Sequence, residues 1–190
     1  MDDLDDLKVG GSAPSLDTIE LRRGLAGDAW FSPCGTYRYR LERRVGPGEG
    51  VLVVIGLNPS TAGHEQDDPT IRRCIGFARR EGLGTLRMLN LFAFRATDPA
   101  GLRRFDGDRF GPENHWGLTC GQAGPGRKLL LAAWGADGDA FPEHVAYVRS
   151  LLYRPLYCLG TTKSGQPRHP LFVRGDAPIV PWPGDGGPCD

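Results

Sequence analysis

The sequence lacks the features of a membrane or secreted protein. None of its hydrophobic runs approaches the ~18 residues that a membrane-spanning helix needs. Residues 1–6 are mostly acidic and do not show the basic-then-apolar pattern of a signal peptide. Neither positive nor negative charge is in excess, because 23 basic and 23 acidic residues give a formal net charge of zero. We therefore expect a cytoplasmic protein without a membrane partner, and the balanced charge leaves open whether it binds nucleic acid.

Cysteine pairs at metal-binding spacing are also absent. The five cysteines are scattered, and they include no C-x-x-C pair. Zinc or iron–sulfur ligation is therefore not indicated, and we expect free thiols and no cofactor. A composition of 39% hydrophobic and 24% charged residues is typical of a globular chain, and 190 residues suffice for one ordinary domain. We predict a loose amino-terminal arm over residues 1–25 and a single α/β domain over residues 26–190.

Four apolar runs predict the strands of a parallel sheet. They are residues 51–55, 86–92, 128–135 and 156–160. Helix-length segments separate the runs, and Asp68-Pro69 is typical of a helix start. Apolar and charged side chains alternate over residues 37–42, which predicts one additional antiparallel strand at the amino-terminal side. The expected fold is a three-layer α/β/α sandwich with a four-stranded, mainly parallel sheet.

Two turns that contain proline place polar side chains at the carboxyl ends of predicted strands. Asn58 follows the first run within Gly56-Leu57-Asn58-Pro59-Ser60, and His169 follows the last run within Arg168-His169-Pro170. Ligands of open parallel sheets bind at this edge. An amide and an imidazole brought together there can orient a water molecule and stabilise an anion, as the removal of a base from a sugar requires. We therefore predict that Asn58 and His169 are catalytic.

The chain resembles the domain-of-unknown-function 1643 family in several segments. These are residues 31–35, 56–62, 67–74, 90–99 and 168–171. The order of its motifs also resembles, more distantly, the uracil-DNA glycosylase superfamily. That second resemblance implies a uracil-DNA-glycosylase-like fold, in which Asn58 positions water, Asn90 reads the base edge and His169 stabilises the departing base. Leu171 departs from the pattern, because the superfamily usually has serine after His-Pro.

Further residues near these three are candidates for substrate binding. They are Leu57, Pro59 and Ser60 beside Asn58; Phe92, Phe94 and Arg95 after Asn90; and Lys163 and Arg168 in the basic tract before His169. Either phenylalanine can stack on a base, although core packing is the more common role for such a side chain. The two basic residues can hold a phosphate or the substrate.

These observations predict a DNA glycosylase-like hydrolase acting in DNA repair. It would cleave the N-glycosidic bond of a damaged or modified nucleobase in DNA, after flipping the base out of the stack, or that of a free nucleoside or nucleotide. The expected partner is that DNA or small molecule, and the expected state is a monomer. Two alternatives stay open: a non-catalytic nucleotide or nucleic-acid binding module on the same fold, and a metal-dependent, phosphate-directed hydrolase that uses His64, Asp67 and Asp68.

Overall fold

Strands and helices alternate along the chain after an opening run of strands. The computed structural model describes residues 18–124, 126–153 and 155–185. The strands are β1 (Glu20–Arg23), β2 (Asp28–Phe31), β3 (Arg38–Arg44), β4 (Val51–Gly56), β5 (Thr85–Asn90), β6 (Lys128–Ala132), β7 (Leu156–Cys158) and β8 (Val180–Pro181). The helices are α1 (Pro69–Arg80), α2 (Pro99–Arg104), α3 (Asn114–Gln122) and α4 (Pro142–Leu151), and a short 3₁₀ turn follows at Pro170–Phe172. None of the helices in these ranges has the length and apolarity needed to span a bilayer.

The described strands form one mixed sheet in the order β1-β2-β3-β5-β4-β6-β7-β8. The pairings β5–β4, β4–β6 and β6–β7 are parallel, and the four other pairings are antiparallel. The prediction of a four-stranded, mainly parallel sheet with one extra strand is therefore wrong. The additional strands are hard to find in the sequence, because β1 is short and mostly polar and β8 has only two residues.

The region predicted as a loose arm, residues 1–25, is described only from residue 18 onward. Residues 1–17 lie outside the described residues. Within the described part, Glu20–Arg23 form β1 and pair antiparallel with β2. The sheet therefore begins inside the segment that the sequence analysis had assigned to the arm.

Apolar side chains cover both faces of the sheet. On one face, α1 packs its buried residues Ile71, Cys74 and Phe77 into the core. On the other face, α3 and α4 contribute Leu118 and Val145. Since β4 is covered from both sides, its side chains are apolar at successive positions rather than at alternate ones.

The carboxyl ends of the parallel strands meet along one edge. Gly56, the last residue of β4, is the register partner of Asn90, the last residue of β5. The predicted helix start beside this edge is confirmed, because the Asp68 carboxylate accepts a hydrogen bond of 2.8 Å from the Ile71 N–H and Pro69 is the first helical residue. The loops after the strands and the start of α1 thus lie together.

Candidate functional site

A cavity of about 640 Å³ opens at this edge of the sheet. Its volume lies within the range of roughly 300–1,000 Å³ found for small-molecule sites. The ends of β4 and β5, the segment after β6 and the loop after β7 all line it, together with the first turn of α1. Asn58, Asn90 and His169 therefore lie around the same cavity, although each comes from a different loop or strand end.

Main-chain oxygens hold the Asn58 side chain in one orientation. Its Nδ2 donates to the carbonyl oxygen of Pro59 at 3.0 Å and to that of Ala96 at 2.9 Å. These bonds use both amide hydrogens. Asn58 Oδ1 makes no hydrogen bond to the described part of the chain, so this side chain offers a ligand or a water molecule an acceptor.

Asn90 is only 2% exposed, lines the cavity and carries an unused donor. Its Nδ2 is buried and has no hydrogen-bond partner among the described residues. Its Oδ1 lies beside β4, where a Cβ added to Gly56 would approach it to 3.0 Å. Buried polar groups without a partner are uncommon in folded proteins. A ligand acceptor would satisfy this one.

His169 begins the 3₁₀ turn after β7 and is half-buried at the cavity. Its Nδ1 accepts a hydrogen bond of 3.4 Å from the Leu171 N–H, so the neutral ring carries its proton on Nε2. Burial lowers the pKa of His169 below its ordinary value of 6.5, and the charges of Asp68 and Asp137 oppose that shift. The imidazole is therefore neutral at pH 7 and offers a donor at Nε2, for which the described residues supply no acceptor.

Hydrogen bonds fasten the His169 loop to the segment after β6. The Gly135 N–H donates to the Pro167 oxygen at 2.9 Å, and Trp134 Nε1 donates to Gln166 Oε1 at 2.7 Å. Gly135 has a φ of +77°, and a Cβ there would lie 3.2 Å from the Cβ of His169. Trp134 and Gly135 therefore anchor this loop, and the missing side chain of Gly135 leaves room for His169.

Arg38 is a site residue that the sequence analysis did not identify. It lines the cavity and is 2% exposed. Its Nη1 donates to the Ala62 oxygen at 2.7 Å, whereas its buried Nε has no partner in the described ranges. Burial lowers the pKa of Arg38 to about 10, with Asp68 acting in the opposite direction, so the side chain still carries its charge at pH 7.

A register shift explains why the alternation of β3 did not reveal Arg38. Trp30 of β2 pairs with Arg40, but the next residue, Phe31, pairs with Arg38 instead of Tyr39. Such an irregularity breaks the strict alternation of side chains between the two faces. Arg38 and Tyr39 are therefore both buried, whereas the alternating pattern places only one of them inside.

Three carboxylates that line the cavity are already engaged by the protein. Asp68 caps α1, and Asp98 caps α2 by accepting the Gly101 N–H. Asp137 forms an ion pair of 3.0 Å with Arg103. Each of these carboxylates therefore has a structural role, in which one of its two oxygens accepts a hydrogen bond.

Five of the other predicted binding residues line the cavity or a groove beside it. Leu57, Ser60 and Arg168 line the cavity. Phe94 and Arg95 line an adjoining groove of about 300 Å³. In that groove Phe94 stacks on Phe105, with 3.7 Å between the ring centroids, and Arg95 Nη1 donates to the Gly35 oxygen at 3.0 Å.

Pro59, Phe92 and Lys163 line neither the cavity nor the groove. Phe92 is buried and stacks on His144, with 4.1 Å between the ring centroids. Pro59 is buried, and its oxygen accepts the Asn58 amide. Lys163 is exposed on the loop before His169. Phe92 therefore has the core-packing role that was the alternative to base stacking.

His64, Asp67 and Asp68 do not come together as a metal site. Among the described residues no three or more His, Cys, Asp and Glu side chains are grouped to hold a metal ion. Asp67 instead accepts from Arg43 Nε at 2.7 Å, and His64 Nε2 lies 3.5 Å from Glu65 Oε1. The metal-dependent alternative therefore lacks a ligand set in the described ranges.

Comparison with known proteins identifies a family but no activity. A family model described as "Protein of unknown function (DUF1643)" matches residues 38–171, which is more than half of the chain. The matched segment begins at Arg38, contains Asn58 and Asn90, and extends past His169. No curated protein and no solved structure matches the sequence.

Proposed function

The chain belongs to the DUF1643 family of proteins of unknown function, and we propose that it hydrolyses the N-glycosidic bond of a nucleobase, in DNA or in a free nucleoside or nucleotide. The observation that carries this proposal is the set of three unused polar groups around one cavity. They are the acceptor Oδ1 of Asn58, the buried donor Nδ2 of Asn90 and the Nε2–H of a neutral His169. In such a hydrolysis an acceptor can position the attacking water, and donors can hold the base and stabilise its departure.

Asn58 would position the attacking water. Its Oδ1 accepts a hydrogen bond from a water proton, which leaves a lone pair of the water oxygen free to attack the anomeric carbon. An amide cannot remove the proton as a carboxylate can, so the proton that the water loses after its attack would pass to the departing base anion, which leaves as the neutral base. The reaction would therefore proceed through a dissociative transition state, in which the bond to the base is largely broken before water attacks, and the rate would depend on positioning and electrostatics.

His169 would stabilise the departing base. Negative charge develops on the base as the glycosidic bond breaks, and a donor aimed at a base oxygen lowers the energy of that state. The hydrogen bond from Leu171 N–H to Nδ1 keeps the ring in the tautomer that can donate from Nε2. Asn90 would read the base edge through its amide, which can donate and accept side by side.

The order of the motifs supports the same reaction through the sequence resemblance to the uracil-DNA glycosylase superfamily. If the substrate is DNA, the base must leave the stack to enter the cavity. DNA repair would be the biological setting of that form of the reaction.

A non-catalytic nucleotide or nucleic-acid binding module is the second candidate. The observation that favours it is that the three carboxylates lining the described part of the cavity, Asp68, Asp98 and Asp137, each serve a helix cap or an ion pair. Such a module would use the same donors and acceptors for recognition alone.

Release of free base separates the two candidates. The purified chain would be incubated with oligonucleotides that carry modified bases and with free nucleosides and nucleotides, and released bases would be detected by mass spectrometry. We expect release by the wild type and by the control variant Gln66→Ala, an exposed position on the Asn58 loop, and no release by Asn58→Ala. Substrate binding without release by the wild type would contradict hydrolysis and support the binding module.

A further inference from the structure

Arg38 is a buried cation for which the proposed reaction has no role. Arg38, Arg43 and Arg87 are the buried arginines of the described sheet. Arg43 pairs with Asp67 at 2.7 Å, and Arg87 pairs with Glu42 at 2.8 Å. Arg38 has no such carboxylate within ion-pair distance in the described ranges. Of the three, only Arg38 lines the cavity.

A buried charge is costly unless an opposite charge and hydrogen bonds compensate it. Asp68 is the acid whose charge acts most strongly on Arg38. Its carboxylate, however, accepts the Ile71 N–H at the start of α1. One Arg38 donor goes to the Ala62 oxygen, which leaves the charge itself without a direct partner. This is the environment expected of a cation that meets its counter-ion in a ligand.

Two unused donors belong to residues of neighbouring strands, and one of them is part of the Arg38 guanidinium itself. They are Arg38 Nε and Asn90 Nδ2, and both side chains line the cavity. Their strands, β3 and β5, pair antiparallel, and the main chain continues this proximity because the Arg38 N–H donates to the Ala93 oxygen at 3.0 Å. The charge and the unused donors of Arg38 and Asn90 favour a ligand group that is negatively charged and has more than one oxygen.

We propose that Arg38 binds an oxyanion carried by the ligand, either a carboxylate on the base, beside Asn90, or a phosphate. The fork of N–H groups on a guanidinium matches two oxygens of such a group. The proposal rests on the proposed function in one respect, since the ligand is taken to be a nucleoside derivative. It narrows the substrate class to derivatives that carry a negative charge, and neutral nucleosides become weak ligands.

A purely structural role for Arg38 predicts a different result. Its bond to the Ala62 oxygen holds the loop that carries Asn58. If that were its only role, replacing Arg38 would weaken the binding of charged and neutral ligands equally. The preference for a charged ligand is therefore the quantity to measure.

Calorimetric titration of the full chain would measure this preference. The probes are the four common ribonucleosides, their 5′-monophosphates, and orotidine, which carries a carboxylate on the base. We expect a charged probe to bind at least about tenfold more tightly than its neutral counterpart, and preference for orotidine or for a monophosphate identifies the oxyanion as carboxylate or phosphate. Equal affinities, or no binding of any probe, would overturn the proposal.

Substitutions of Arg38 test whether this residue causes the preference for charged probes. Arg38→Gln should remove the preference for charged probes, and Arg38→Lys should keep part of it. The control variant Arg43→Gln should retain the preference, because Arg43 is equally buried on the same strand but does not line the cavity. If Arg38→Gln does not fold, the wild-type preference and its reduction in Arg38→Lys decide the question. An unchanged preference in Arg38→Lys and Arg38→Gln would overturn the proposal.

The two proposals can fail separately. An Arg38-dependent preference for charged probes without base release from any substrate would contradict hydrolysis and leave the oxyanion site standing. Base release from neutral nucleosides at a rate that Arg38→Gln does not change would contradict the oxyanion site and leave hydrolysis standing.

Discussion

Asn58 and Ala96 are joined by a hydrogen bond of 2.9 Å from the side-chain amide of the first to the main-chain oxygen of the second. The bond connects the loop after β4 with the loop after β5, and both residues line the cavity. The bond also fixes the orientation of the Asn58 amide, because the protein holds Nδ2 and leaves Oδ1 available as an acceptor. The same contact therefore contributes to the fold and prepares Asn58 to hold a water molecule.

The amide orientation predicts how Asn58 variants rank in stability. Asn58→Ala should lower the free energy of unfolding by about 1–3 kcal/mol, since it removes two hydrogen bonds that each contribute roughly 0.5–1.5 kcal/mol. Asn58→Asp should be less stable than Asn58→Ala at pH 7, because it sets a carboxylate oxygen against two carbonyl oxygens. Urea unfolding measures both. A fully stable Asn58→Asp would contradict the described orientation.

Gly56 is expected to tolerate no side chain without cost to the site. In Gly56→Ala the new Cβ would lie 3.0 Å from Asn90 Oδ1, so Asn90 must shift inside a packed environment. We expect ligand affinity to fall several-fold, as measured by titration with the best-binding probe. Gly76→Ala is the matched control: this exposed helical glycine has nothing within 4 Å of the added Cβ. It should stabilise the protein by roughly 0.5–1 kcal/mol and leave affinity unchanged.

Acidification should reduce both stability and base release. Burial lowers the pKa of His169 and of His144 below 6.5, so the folded protein binds fewer protons than the unfolded chain just below that pH. The free energy of unfolding therefore falls as the pH drops below 6.5, until the folded-state pKa values are reached. Thermal unfolding between pH 7.5 and pH 5 would show this, and His169→Gln should have a shallower dependence.

Base release should decline at lower pH than stability does, as the pH approaches the lowered folded-state pKa of His169, since only the neutral imidazole accepts the Leu171 N–H at Nδ1. A rate that rises as the pH falls would contradict the assigned tautomer.

Cys34 should be the most reactive of the thiols that the structure describes. The hydroxyls of Ser32 and Thr36 lie 3.4 and 3.2 Å from its sulfur, and these hydrogen bonds lower the pKa of this exposed thiol to about 7. Burial instead raises the pKa values of Cys74 and Cys158. Timed alkylation with iodoacetamide at pH 7, followed by peptide mass spectrometry, should modify Cys34 first, and Ser32→Ala should slow that reaction. Equal labelling of the buried and exposed thiols would contradict this prediction.

Some features of the fold could be predicted from local sequence, and others depend on tertiary contacts. Residues 51–55 are recognisable as a strand because both faces of β4 are buried, which selects apolar residues at every position. The edge strand β1 has four mostly polar residues, too few for a periodic pattern to emerge. The number of strands and the balance of parallel and antiparallel pairings therefore became clear only from the structure.

Some residues of the functional site could likewise be predicted from local sequence, and others could not. The loops of Asn58 and His169 stand out in the sequence because proline follows a polar residue directly after an apolar run. Arg38 does not stand out, because its burial results from a register shift between two strands. The engagement of Phe92 by His144 likewise joins residues far apart in the chain. Contacts of this kind leave no local signal.

The most direct test of the proposed hydrolysis follows an oxygen atom. The best substrate from the base-release screen would be incubated with the wild-type chain and with Asn58→Ala in water enriched in ¹⁸O, and both products would be analysed by mass spectrometry. We predict free base together with one ¹⁸O on the anomeric carbon of the sugar, and loss of both in Asn58→Ala while the ligand still binds. Appearance of the ¹⁸O in phosphate would contradict the proposed hydrolysis, and full turnover by Asn58→Ala would contradict the role of Asn58 in it.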